Sequence, residues 1–394
     1  MNARNVSASV IWALVFCPLS FAQNTSTVSL SGVQEQVIQI EVTPADRAAV
    51  SAHRRVHTNG ALRPEGGHYP SRTFETDSSG ALVEVTRNFP SPQSAGQAAA
   101  ALVSSGAPPF LGPGFYPADL SLVSNTGQTI AQAQVHNIYL NCTAACWGYP
   151  AIFETNLFYS RFIHVLDQYV GSDENGRYTL GPSLVINNYP IPNTYVTNPL
   201  VNDADIDAIL HAAASKFGSG YNHIFNIFFP KGLDYCSGYA PPYSQCFSPD
   251  NGGTWTFCAV HGEDSFADIP GTEYATVEPY FDVFSVVNGA PFYGCDVGQP
   301  PPYNTNTNPT PNGVLVDSTS DFVAHELFET ITDPDGTEWQ AVDGYFGYSV
   351  AVEVGDVCEI HYGSILFTPF YVSGHLYEIQ PMYSNKYHAC VTVP

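Results

Sequence analysis

Basic residues are scarce in this chain: 12 Lys and Arg stand against 36 Asp and Glu, a formal net charge of −24. A surface this acidic repels phosphate backbones and anionic lipid, which argues against nucleic-acid binding and against attachment to a charged membrane face. Long apolar runs are missing too, and no stretch approaches the ~20 uninterrupted apolar residues that span a bilayer. There is no C-x-x-C pair, no G-x-S-x-G elbow, no phosphate-cradling P-loop and no dinucleotide glycine fingerprint. Thiolate zinc sites, dithiol redox chemistry, an elbow-type serine nucleophile and nucleotide chemistry therefore fall away.

What is present begins with a leader. Arg4 supplies a positive start, Ser9 to Phe16 is mostly apolar, and Ser20-Phe21-Ala22 is a small-x-small cleavage site, so residues 1–22 read as a signal peptide. Cys17 follows Phe16 rather than a small residue, which disfavours a lipid-anchored cysteine. The expected product is exported, extracellular or periplasmic. Eight of the nine cysteines lie beyond the leader, an even number that favours disulfides in an exported chain. Pairing sequence neighbours gives Cys142 with Cys146, Cys236 with Cys246, Cys258 with Cys295 and Cys358 with Cys390. A low charged fraction, with abundant Tyr, Phe, Asn, Gly and Pro, suits a loop-rich globule.

Residues 23–117 carry weak signals, with strands expected over Val33–Val42 and Ala81–Asn88. Ser91 to Ser105 reads as a short helix or linker, and Pro108 to Pro117 as a punctuated connector. They read as an irregular N-terminal extension and linker, ahead of a single main domain over 118–394. There the pattern runs strand (Gln134–Leu140), helix (Thr155–Tyr169), strand (Tyr178–Asn187), helix (Asp203–Lys216), strand (His223–Pro230). That alternation predicts an α/β fold: a mixed sheet flanked by helices and stapled by disulfides. Thr254–Val260 and Tyr274–Val287 read as further strands. Gly298 to Asn312 is low-complexity and reads as a surface loop just before the most informative stretch.

That stretch is Asp317 to Pro334, containing His325-Glu326-Leu327-Phe328-Glu329. On a helix His325 and Glu329 share one face, so both can reach one ion, as on a zinc peptidase helix with a carboxylate in place of the second histidine. Glu326, one step further round, is placed to act as base towards a water there. Ser318 or Ser320 would cap this helix and Asp333-Pro334 would stop it, giving about three turns. Downstream, Glu353 and Asp356 sit in a largely apolar setting, where acids are seldom buried without a partner or a metal.

These features occur in an order that resembles the EXORDIUM or phosphate-induced protein family of exported proteins and its microbial relatives. The matching elements are Asn312-Gly313, Asp317, Ala324-His-Glu-Leu-x-Glu329, the Thr-Asp-Pro ending at Pro334, Trp339, and Glu353-Val-Gly-Asp356-Val-Cys358-Glu359. Phe257-Cys258-Ala-Val-His261 is similar to the family's Cys and His element, and Tyr383-Ser-Asn385 with Cys390 to its last strand. The similarity is strong from about Cys258 to Cys390, thin from His136 to Pro230, and absent before Ser105. The chain departs from the pattern at Thr337-Glu338-Trp339 and in a longer stretch before Glu353. The resemblance implies His325, Glu329, Glu353 and Asp356 as metal positions with Glu326 as base: a zincin-like site.

Several choices stay open at this level. Glu353 leads as third ligand, while Asp356 either ligates or orients His325. Asp333 caps the helix end or lies beside the ligands, and Asp335 sits ten residues after His325. His261 is an added ligand, a substrate contact or a structural histidine. One imidazole with two carboxylates suits Zn²⁺, and another divalent metal such as Mn²⁺ or Fe²⁺ shares that preference. The expected activity is a secreted zinc peptidase-like hydrolase acting on a peptide or protein. The rival is a non-catalytic extracellular binding or signalling protein with a structural metal.

Overall fold

Runs rich in Val, Ile, Tyr and Phe build a central eight-stranded sheet, because such side chains pack well on a pleated surface. The computed structural model describes residues 24–30, 33–54, 73–76, 82–85, 119–122, 128–243, 245–251, 255–281, 285–287, 290–292, 295, 297, 310–343, 350–358 and 369–394. In chain order the sheet strands are β1 (Asn24–Leu30), β2 (Val33–Glu41), β3 (Ala133–Leu140), β4 (Ser183–Asn187), β5 (His223–Phe228), β6 (Val260–Asp264) and β7 (Glu273–Glu278). They lie in the spatial order β1-β2-β4-β3-β5-β7-β6, with Tyr178–Leu180 paired beside the start of β3. The ladders from β2 through β7 are parallel, and antiparallel β1 and β6 close the two edges.

Parallel strands need covered faces, and helices supply the cover. These are α1 (Pro44–His53), α2 (Pro150–Phe158), α3 (Asp203–Phe217) and α4 (Val314–Thr332). Val50 of α1 and Ile206, Ile209 and Leu210 of α3 share a core with Ile138, Leu140, Phe225 and Ile227. On the opposite face, Phe153 and Leu157 of α2 join Val323, Leu327, Phe328 and Ile331 of α4 against Val135, Tyr139 and Phe228. Period-two alternation along β3 and β5 sorts the two cores. Among the described residues, no helix is long and apolar enough to cross a membrane.

The fold is thus mixed α/β, with a mainly parallel sheet flanked by helices. All four neighbour pairings of cysteine are disulfides: Cys142–Cys146, Cys236–Cys246, Cys258–Cys295 and Cys358–Cys390. Several elements differ from expectation. The helix expected over Thr155–Tyr169 starts earlier, at Pro150, and is followed by a 3-10 turn, Phe162–Leu166, and a short helix, Asp167–Val170. Gly181-Pro182 splits the expected Tyr178–Asn187 strand in two, since proline cannot donate to a ladder. The strand expected over Thr254–Val260 instead starts at Val260, and the one over Tyr274–Val287 is two pieces, Glu273–Glu278 and Ser285–Val287.

The sheet also takes in part of the stretch read as an extension, since β2 runs parallel to β4. Glu35 on β2 is buried and accepts from Tyr139 at 3.0 Å and from Ser183. The leader 1–22, the segment Ser91–Ser105, the connector Pro108–Pro117 and loop residues 298–309 lie outside the described residues.

Candidate metal centre

Helix α4 is longer than its sequence signals suggest, 19 residues. Its N-cap is Gly313, at φ 93°, ahead of the expected Ser318 or Ser320, neither of which caps the helix. Both serines are buried inside it, and the Ser320 hydroxyl donates to Val316 O at 2.7 Å. Every residue from Asp317 to Thr332 is buried, so α4 runs through the core rather than along the surface. Burial overrides the modest helix propensity of its many Val, Thr and Ile residues.

This burial places His325, Glu326 and Glu329 between the sheet edge and the C-terminal segments. His325 Nε2 faces Glu329 Oε2 at 3.2 Å and Asp356 Oδ1 at 3.7 Å. The Gln380 side-chain amide lies 2.9 Å from His325 Nδ1 and also donates to Gly355 O at 3.2 Å. Nε2 is therefore the ring nitrogen that faces the carboxylates.

Glu353 and Asp356 reach the site on a tight turn. Strand pairing of Ala341 with Val352 delivers it, Tyr383 N–H donates to Val354 O, and the Cys358–Cys390 disulfide fastens its end. Glu329 Oε1 anchors the turn to α4 by accepting the N–H groups of Gly355 and Asp356 at 3.1 and 3.0 Å. A Cβ on Gly355 would stand 2.7 Å from His325 Nδ1 and 2.9 Å from Glu329 Oε1, so only glycine permits this approach.

His261 enters from β6, three residues beyond the Cys258–Cys295 disulfide. Its Nδ1 lies 3.1 Å from Glu326 Oε2 and 3.5 Å from Glu329 Oε2, and its Nε2 lies 3.3 Å from Glu353 Oε1. His261, expected as an added ligand, a substrate contact or a structural histidine, thus faces three acids of the cluster. Glu329, Glu353, Asp356 and the two histidines form two groups that could each hold a metal ion, sharing Glu329: His325, Glu329, Asp356, and His261, Glu329, Glu353. The expected ligand set is split between them, with Asp356 on the side of His325 and Glu353 on the side of His261.

Electrostatics show what the cluster lacks. Burial pushes the carboxyls of Glu353 and Asp356 well up, with His261 opposing the shift at Glu353 and Glu329 reinforcing it at Asp356. Burial alone would lower His261, but Glu353 and Glu326 outweigh it and hold the imidazole well above its ordinary range. Buried Glu353 Oε1 and Asp356 Oδ1 accept no well-formed hydrogen bond. Oxygens left this way cost free energy unless a cation or proton satisfies them. The donor set, the glycine cradle and these two oxygens together fit a divalent ion.

Asp333 adds its charge to the upward push on Glu353, but its oxygens serve the turn. Its Oδ1 accepts Glu338 N–H at 2.7 Å and its Oδ2 accepts the Gln340 amide at 2.6 Å, closing the turn after α4. Asp333, Asp335 and Glu338 also lie close enough to share an ion. Thr337 already donates to Asp335 and Glu338 there.

Sequence reasoning passed over Gln380 and Glu278. Glu278, on β7, is buried, and burial followed by the charge of Glu326 pushes it well up. Only its place on the sheet face below α4 reveals it.

No family model, curated protein or solved structure matches this chain. The site is therefore read from its own residues.

Proposed function

We propose that this chain is an exported metal-dependent hydrolase with a zincin-like site that cleaves peptide bonds. The observation that carries this reading is the pairing of His325 with Glu329 one turn apart, and of Glu326 with His261 beside them. The four disulfides agree with export. The similarity to the EXORDIUM or phosphate-induced family points the same way. His325, Glu329 and Asp356, with Glu353 next to them, would hold the ion; mixed imidazole and carboxylate donors suit Zn²⁺. An ion bound there supplies Lewis acidity, polarising a carbonyl and making a water more acidic.

The protein's own residues do the rest. Glu326 takes a proton from the attacking water and passes it to the leaving amine. His261 donates to Glu326 Oε2 and fixes which oxygen is presented. Gln380 orients His325, and the Gly355 cradle keeps Glu329 in place. Hydrolysis of casein or a peptide library should be lost in Glu326→Gln while metal content stays unchanged. Turnover that survives this substitution contradicts the role of Glu326.

One observation favours a second reading, a structural ion in a non-catalytic extracellular binding protein. His325, Glu326, Glu329 and Asp356 are 0% exposed, and His261 and Glu353 only 5%. A structural site is closed, whereas a catalytic one keeps a position for water and substrate. Under this reading chelation lowers the melting temperature and no peptide is cleaved.

A further inference from the structure

We propose that the centre binds two divalent cations bridged by Glu329, one held with His325 and Asp356 and the other with His261 and Glu353. This rests on the metal reading of the site and adds the second ion to it.

The geometry has three parts. First, the two candidate groups share a single residue, Glu329, and each brings its own histidine and its own further acid. Second, the Glu329 carboxylate is divided in use. Its Oε1 accepts two backbone N–H groups, while its Oε2 is turned towards both imidazoles, 3.2 Å from His325 Nε2 and 3.5 Å from His261 Nδ1. One carboxylate oxygen has lone pairs enough for two cations. Third, each group contributes a buried oxygen that accepts no well-formed hydrogen bond, Asp356 Oδ1 in one and Glu353 Oε1 in the other. A single ion in either group leaves the other oxygen with only an imidazole, at 3.3 or 3.7 Å, for a partner.

Charge balance points the same way. Glu326, Glu329, Glu353 and Asp356 are four carboxylates around two imidazoles. One divalent cation formally balances two of them, and Glu278 and Asp333 add further acid beside the four. In a fully buried cluster an uncompensated charge is costly, so the second cation removes a penalty that the first leaves behind. Two-ion sites keep their metals roughly 3.5–4 Å apart, a separation that a single bridging carboxylate can span.

The test uses Mn²⁺ alone as probe, added to the folded, chelator-stripped full chain, with bound metal counted by equilibrium dialysis and the spin state read by electron paramagnetic resonance. The expected result is two Mn²⁺ per chain with an exchange-coupled spectrum. His261→Gln should bind one and show the uncoupled six-line signal, and His325→Gln should do the same from the other side. Binding of one Mn²⁺ per chain in the unsubstituted protein overturns the two-ion proposal and leaves the single-ion reading standing. Two ions with uncoupled signals also overturn it, because the bridge is then absent. No bound Mn²⁺ overturns both readings. The unsubstituted chain decides the matter even if a variant fails to fold.

Discussion

Two clusters of buried acid lie on the same face of the sheet and are satisfied in opposite ways. Glu154, on α2, is 0% exposed, and each of its oxygens takes an amide proton, from Asn137 at 2.6 Å and from Asn226 at 2.7 Å. Asn226 in turn accepts from Thr276 at 3.1 Å. This carboxyl is completed by neutral donors from two neighbouring strands, β3 and β5, and needs no cation. Around α4, by contrast, Glu353 Oε1 and Asp356 Oδ1 meet imidazoles at 3.3 and 3.7 Å without well-formed hydrogen bonds. Burial of an acid does not mark a site; what marks it is burial without enough protein donors.

The difference can be broken or sharpened experimentally. The largest effect is expected on turnover: Glu326→Gln should cut peptide hydrolysis by roughly 10²–10⁴-fold, the usual contribution of a positioned base. Glu154→Gln should leave turnover unchanged, which a steady-state assay with both variants checks.

Chelation comes next. A tightly held ion stabilises the fold by about 4 kcal/mol when present at a thousand times its dissociation constant. Removing it should lower the melting temperature by on the order of 10 °C, in the unsubstituted chain and in Glu154→Gln alike. Metal binding should also weaken as pH falls, because protons compete for the raised carboxyls of Glu353 and Asp356. Calorimetry in buffers of different ionisation enthalpy reads the protons released.

Glu154 predicts a pH effect of its own. Burial, only partly offset by the amide donors of Asn137 and Asn226, pushes it up from 4.5 to about 8. Between those values the folded chain keeps a proton that the unfolded chain has lost. Its stabilising contribution is therefore complete below about 4.5, declines as pH rises to about 8, and stays lost above that. Glu154→Gln keeps a neutral side chain and should flatten this decline by a few kcal/mol, seen as a smaller pH dependence in urea unfolding. An unchanged slope would show that Glu154 is ionised in the fold.

Smaller effects remain. Gly355→Ala forces a Cβ to 2.7 Å from His325 Nδ1 and should destabilise the chain by about 1–3 kcal/mol while lowering metal affinity. Asp333→Asn should cost about 1 kcal/mol through the turn after α4 and leave bound metal unchanged. Loss of metal in that variant would move Asp333 into the centre.

Much of this was legible in the residues. The i,i+4 spacing of His325 and Glu329 is a local property of a helix and survives any tertiary context. The apolar flanks of Glu353 and Asp356 announced their burial, and nearest-neighbour cysteines paired as expected. What could not be read depends on long-range placement. His261 and Glu278 meet α4 only because β6 and β7 form the sheet edge beneath it. The entry of β2 into the sheet is a parallel pairing with β4, more than a hundred residues away in the chain, and nothing local signals it. The start of α4 was misplaced because Ser318 and Ser320 look like caps, whereas a buried helix can begin from a glycine turn.

The most direct measurement is elemental analysis of the protein purified without chelator, beside a His325→Ala variant. The expected result is a divalent metal, zinc foremost, bound at one or more equivalents per chain and lost or sharply reduced in the variant. A metal-free protein whose melting temperature responds neither to chelator nor to added Zn²⁺ or Mn²⁺ would contradict the metal centre outright.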